Sequence, residues 1–191
     1  MVSKPIWTAG GVKIAKSALA RIEQAGRDAY ARDEEACGYL EGPLSDPLLC
    51  DTAVELENLA NKYHQVDPEA HPRTGREYFK VNSKKFERAI QEGQERLRPV
   101  KVFFHSHLDC GAYFSAEDAA SMTLGGTREP SYDLAYLVTA VDEGKVTAHK
   151  LFIWDSGSAR FVESPFVAVV PAEGSAIAGA GAKGPISKGP A

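Results

Sequence analysis

The sequence predicts an α/β fold, a mixed and mostly antiparallel sheet flanked by helices. Three observations predict it. Segments with helical spacing alternate along the chain with short runs of strand formers. Two such runs, Tyr132 to Val141 and Val146 to Trp154, are joined by the hairpin turn Asp142-Glu143-Gly144-Lys145. The apolar run Val100-Lys101-Val102-Phe103-Phe104 reads as a buried strand.

The elements follow in order. Val12 to Tyr30 places Val12, Ile14, Ala15, Ala18, Leu19, Ile22, Ala25 and Ala29 at helical spacing, which predicts an amphipathic helix packed on the sheet. Ala36 to Gly42 is a strand ended by Gly42-Pro43, and Leu48 to Glu57 is a second one. Asn58 to Arg76 is polar, holds Pro68, Pro72 and Gly75, and reads as a loop. Glu77 to Val81 alternates and reads as a strand. Asn82 or Ser83 caps a helix running to about Leu97, with Phe86, Ala89, Ile90 and Leu97 inward, and Pro99 ends it. Ser115 opens another helix that stops at Gly125-Gly126. Arg160 to Val170 adds a last strand. Residues 1–170 are expected to form one domain. Pro171 to Ala191, rich in Ala, Gly and Pro, is expected to be a disordered tail.

Composition narrows the function. The 191 residues are 43% hydrophobic, enough for one real core. A net charge of -4 gives no electrostatic case for nucleic acid. Cys37, Cys50 and Cys110 are odd in number and lack metal-finger spacing, so free thiols in a reducing, cytoplasmic compartment are expected. The first residues have no apolar signal region, and no run is long enough to span a membrane.

The chemistry lies in His105-Ser106-His107, seven residues, then Ser115-Ala116-Glu117-Asp118. His105 and His107 are placed just past the strand. Residues two apart in extended chain face the same side, so both imidazoles can address one point. The helix opened by Ser115 would bring Asp118 back toward them. Two imidazoles and one carboxylate form a three-ligand zinc set with an open fourth position, the catalytic arrangement. Ser-x-x-Asp also resembles a capping box, which needs no metal. The two roles are compatible. His64, His71 and His149 lie outside this spacing and read as surface or loop residues. Trp154 and the Tyr and Phe residues read as core.

Together with Glu35-Ala36-Cys37-Gly38-Tyr39-Leu40-Glu41-Gly42, this stretch resembles the JAMM metalloproteases, also called the MPN-plus or Mov34 family, in their single-domain prokaryotic form. The resemblance covers roughly Lys13 to Val162. It implies a cytidine-deaminase-like α/β fold and one Zn2+ per chain, on His105, His107 and Asp118. It assigns the general base and acid to Glu35, with neighbouring Glu34 as the rival. It gives Ser115 a hydrogen bond to the zinc-bound water or the oxyanion, besides its cap. The implied reaction is hydrolysis of a peptide or isopeptide bond after the C-terminal tail of a ubiquitin-like or sulfur-carrier protein. A zinc hydrolase of another class, acting on a small amide, and a non-catalytic MPN scaffold are the alternatives. Relatives often carry Pro where this chain has Leu108 and Phe114, so the wall beside the metal differs in shape. The Asn58-to-Arg76 loop is expected to border the substrate groove.

Overall fold

The computed structural model describes residues 4–123 and 129–171. Nine strands and four α-helices are described: β1 (Lys13–Ala15), α1 (Lys16–Tyr30), β2 (Cys37–Glu41), β3 (Leu49–Cys50), β4 (Thr52–Leu56), α2 (Ala60–Val66), α3 (Ser83–Glu95), β5 (Val100–Leu108), α4 (Ala116–Met122), β6 (Ala135–Asp142), β7 (Lys145–Asp155), β8 (Arg160–Ser164) and β9 (Val167–Val169). Six strands form one sheet in the order β4-β2-β5-β6-β7-β8. Only β5 and β6 run parallel in it; every other neighbouring pair is antiparallel. The remaining three form a small parallel sheet, β3-β1-β9.

Strand alternation divides the core into two layers. Ile22 of α1 packs with Leu40, Val102, Phe104 and Leu137. Phe86 of α3 and Met122 of α4 pack on the opposite face with Tyr39, Phe103, Tyr136 and Val138. All nine residues of β5 are buried, as expected of a strand covered on both faces. The β6–β7 turn sets Glu143 at φ 50° and Gly144 at φ 76°, the double left-handed conformation of a tight hairpin.

Several expectations are corrected. Lys13 to Ala15 of the expected Val12-to-Tyr30 helix are strand β1, which finds partners at Leu49 and Val167, far along the chain. Leu48 to Glu57 splits into β3 and β4, which join different sheets. The expected loop from Asn58 contains α2. The Asn58 side chain accepts from Ala60 N at 3.0 Å, one residue ahead of the helix N-cap Leu59. Glu77 to Val81 is not a strand. Phe79 is buried against Phe103 and His105, but the neighbouring backbone is bonded to a side chain instead. Asn58 donates to Tyr78 O at 3.0 Å and accepts from Lys80 N at 3.0 Å. Leu97 lies past the end of α3 at φ 57° and is 64% exposed, not inward.

Strand β5 runs through Leu108, so both histidines lie within it, because pairing with β6 continues past His105↔Val138 and His107↔Ala140. Helix α4 ends at Met122, and Thr123 bridges to Pro130. The expected stop at Gly125-Gly126, and the tail from residue 172 onward, fall outside the described residues. Arg160 to Val170 is two strands, β8 and β9, in different sheets. None of the described helices is long and apolar enough to cross a membrane.

Candidate metal centre

The site begins with the pleat of β5. Phe103, His105 and His107 share the face covered by α3 and α4. Ser106 turns the other way, and its Oγ accepts from Ala36 N at 2.8 Å. Helix α4 supplies the third residue. Ser115 is its N-cap, with Oγ accepting from Asp118 N at 3.0 Å. Asp118 Oδ2 accepts from Ser115 N at 2.8 Å and from Ser115 Oγ at 2.7 Å. The reciprocal capping box thus locks the Asp118 carboxylate in the orientation that faces β5.

The three side chains meet in a buried cluster. His105 Nε2 lies 3.2 Å from His107 Nε2 and 3.2 Å from Asp118 Oδ1, and His107 Nε2 lies 3.4 Å from Asp118 Oδ2. Ligands about 2.0–2.1 Å from a tetrahedral ion lie about 3.3 Å from one another, so these spacings fit one zinc. His107 Nδ1 sits 3.1 Å from Gly111 O. Donation to that carbonyl places the proton on Nδ1 and leaves a lone pair on Nε2. His105 Nδ1 is buried with no hydrogen-bond partner among the described residues, and the ring lies against Phe79 at 4.7 Å between centroids, so its polar function rests on Nε2. Burial alone would push the Asp118 carboxyl up. The electrostatic pull of the adjoining His105 and His107 edges and the hydrogen bond from Ser115 outweigh it and hold the group far below the usual carboxylate range. Lone pairs and a carboxylate converging under cover are a donor set suited to a cation.

Glu35 precedes β2 in the same wall. Its N–H donates to Gly75 O at 2.7 Å and its carbonyl accepts from Asn58 Nδ2 at 3.1 Å, which fixes the backbone on both sides. The residue is 5% exposed. Burial, then the charge of Asp118, raises its carboxyl pKa well above the ordinary value. Glu34 is engaged elsewhere, with Arg32 Nε 2.7 Å from its Oε1. Of the two glutamates, only Glu35 lines the cleft that holds His107 and Asp118.

Residues 16–153 match the model of the family described as prokaryotic homologs of the JAB domain. The chain belongs to that family. Two solved structures agree on the fold. Protein DSY2949 from Desulfitobacterium hafniense is 20% identical, with 85% of this chain and 95% of that one covered and a TM-score of 0.59. A protein from Salinibacter ruber is 22% identical, with 87% and 95% covered and a TM-score of 0.54. AF2198 from Archaeoglobus fulgidus, described as a JAB1/MPN domain protein, is 17% identical over 82% and 99%, with a TM-score of 0.44. Curated protein sequences give no match. The sequence pattern that suggested the family, Glu35 through Asp118, lies wholly inside the matched span of this JAB chain.

The cleft over the cluster has a volume of about 360 Å³. Its far wall is the segment after α2, with Arg73, Arg76 and Glu77. Arg73 pairs with Glu117 at 2.9 Å, and Arg76 pairs with Asp109 at 2.9 Å and with Asp33. Neither arginine was marked by the sequence, because a basic residue in a polar loop has no periodicity to betray it. Tyr113 also escaped notice. It is 49% exposed in the cleft, edge-on to His107 with centroids 4.9 Å apart, and is not a core residue. Tyr63, at 41% exposed, is not core either.

Cys110 is exposed and lines the cleft, with its thiol pKa raised chiefly by desolvation. Cys37 and Cys50 are buried and free, and burial pushes the Cys50 thiol up to about 12. His149 is not a surface or loop histidine. It sits on β7 with Nδ1 2.9 Å from Thr139 Oγ1 and Nε2 3.4 Å from Glu23 Oε1.

Proposed function

We propose that this JAB chain is a zinc metallopeptidase that cuts the bond after the C-terminal tail of a ubiquitin-like or sulfur-carrier protein. The observation that carries the reading is the cluster of two Nε2 atoms and one carboxylate at 3.2–3.4 Å, with a buried Glu35 lining the same cleft. His105, His107 and Asp118 would hold one zinc. Bound there, the metal would supply Lewis-acid chemistry, acidifying a water and polarising the scissile carbonyl.

The chain's own groups supply the rest. Glu35 is the proton carrier. A carboxyl whose proton is held above the ordinary range can take a proton from the attacking water and pass it to the departing amine. Amide cleavage needs that second transfer, because an unprotonated amine leaves poorly. Ser115 has a single hydroxyl proton, and it points at Asp118 Oδ2. Its first role is therefore to position Asp118. A hydrogen bond to the oxyanion requires that hydroxyl to rotate away from the carboxylate. His107 is aimed by Gly111 O.

Support for an extended substrate comes from the open cleft and from β4, an edge strand separated from β5 only by β2. A glycine-rich tail lacks side chains that would obstruct main-chain pairing with such an edge. The test uses zinc-loaded protein and a ubiquitin-like domain whose Gly-Gly tail is extended by a reporter. Wild type should release the reporter. Glu35→Gln should keep one zinc per chain and lose release. Activity in Glu35→Gln would remove Glu35 from the mechanism. An intact fusion with zinc-loaded wild type would reject the substrate class.

A further inference from the structure

A second cavity lies directly beside the metal cleft. Its volume is about 440 Å³, within the range of small-ligand clefts, roughly 300–1,000 Å³. One wall is α4, the other is α2 with the segment from Ala70 to Lys80. The cavity and the metal cleft share two lining residues, Arg73 and Glu117, whose ion pair at 2.9 Å is the partition between them. An occupant of one is therefore next to an occupant of the other.

The chemistry of the walls is specific. On α4 the groove is lined by Ala116 and Ala120, four residues apart and both exposed. Exposed helix positions commonly carry long polar side chains; here the alanines leave the space above them empty. Tyr63 and His71 stand opposite, with ring centroids 5.1 Å apart, and Tyr78 completes the aromatic side. Tyr63 is exposed although it is aromatic. At the rim, Arg73 is neutralised by Glu117, whereas Lys80 has no ion-pair partner among the described residues. Alanine floor, aromatic walls and one uncompensated cation fit a bulky apolar side chain with a carboxylate beside it.

We propose that this groove selects the substrate. It takes a bulky aliphatic or aromatic side chain of the polypeptide, a few residues from the scissile bond, and Lys80 favours an acidic neighbour. The inference rests on the peptidase reading, and deepens it. Filling or widening the groove changes which sequence is held, and leaves the groups that hold the metal untouched.

The test uses a pool of peptides randomised at four positions on either side of a fixed glycine. Zinc-loaded protein is scored by the peptides it cuts. Zinc-loaded Glu35→Gln protein is scored by the peptides it retains, identified by mass spectrometry, which needs no catalysis. Both pools should be enriched in Leu, Phe or Tyr at one position, and replacement of that residue by Ala should lower kcat/KM at least about tenfold. Ala120→Trp fills the groove; it should bind zinc as wild type does and lose the preference. Tyr63→Ala, which removes one wall without crowding α4, should weaken it.

A retained pool with the apolar preference supports the groove even where no peptide is cut, and that outcome counts against the peptidase reading alone. Cut or retained pools without a preferred apolar position overturn the inference, as does a preference unchanged in both variants.

Discussion

Asp118→Asn isolates the ion's share of the site. The substitution keeps the size of the side chain and its amide oxygen can still accept from Ser115 N, as Asp118 Oδ2 does at 2.8 Å. It removes the negative charge that faces His105 Nε2 at 3.2 Å and His107 Nε2 at 3.4 Å. Changing an outer partner of a metal ligand typically weakens binding about 10–100-fold, so loss of the anionic ligand itself should cost at least about 100-fold. A ligand that binds only the folded state stabilises it by RT ln(1 + [L]/Kd). A 100-fold weaker Kd thus removes about 2.7 kcal/mol of zinc-linked stability at saturating metal. For a chain of this size each kcal/mol moves Tm by about 2–4 °C, so the zinc-induced rise in Tm should shrink by roughly 5–10 °C. Thermal unfolding with and without a chelator, paired with metal analysis after dialysis, reads both quantities. One tightly held zinc per chain in the variant, with an undiminished rise in Tm, would refute the ligand set.

Three further outcomes are expected. Ser115→Ala removes the cap of α4 and a donor to Asp118; unfolding of the zinc-free protein should fall by about 2–4 °C for about 1 kcal/mol of cap, and calorimetry should show zinc binding weakened by about tenfold. Glu35 has a folded-state pKa raised by burial, so the folded state binds its proton more tightly than the unfolded state does. Stability in wild type should therefore fall as pH rises from about 4.3 toward the folded value, while zinc-free Glu35→Gln escapes that loss; urea titrations of the two proteins that stay parallel across this range would contradict it. Lys101 is fully buried in β5 and donates to Pro43 O, Asp46 O and Leu49 O at 2.9, 2.9 and 2.7 Å. Lys101→Met would take that donor from Pro43 O and Leu49 O and leave Asp46 O only its bond from Leu49 N at 3.1 Å, and chemical denaturation should show a loss of about 2 kcal/mol or more.

The parts of the site that follow local rules were legible in the residues. A period of two in β5 puts His105 and His107 on one face whatever surrounds them. The Ser115-to-Asp118 spacing encodes the capping box and the direction of the third side chain of the cluster together. Long-range pairings were not legible. Strand β1 is three residues long and exists because Leu49 and Val167 lie on either side of it. Its own side chains fit a helix equally well. The alternation of Glu77 to Val81 reports burial of Phe79 and not a strand, because Asn58 takes the backbone groups that a ladder would have used. Glu34 and Glu35 could be separated only by their partners, the Arg32 guanidinium for one and the cleft for the other.

Burial of β5 has a consequence for how an ion would arrive. Two of the three residues that would hold it sit on a strand sealed on both faces, whose amides should exchange with deuterium only when the whole domain opens. The third rides on a helix of seven residues held by its own N-cap. Loss of a metal would therefore leave the β5 side of the socket standing, and its capture would amount to seating two turns of helix against a rigid floor.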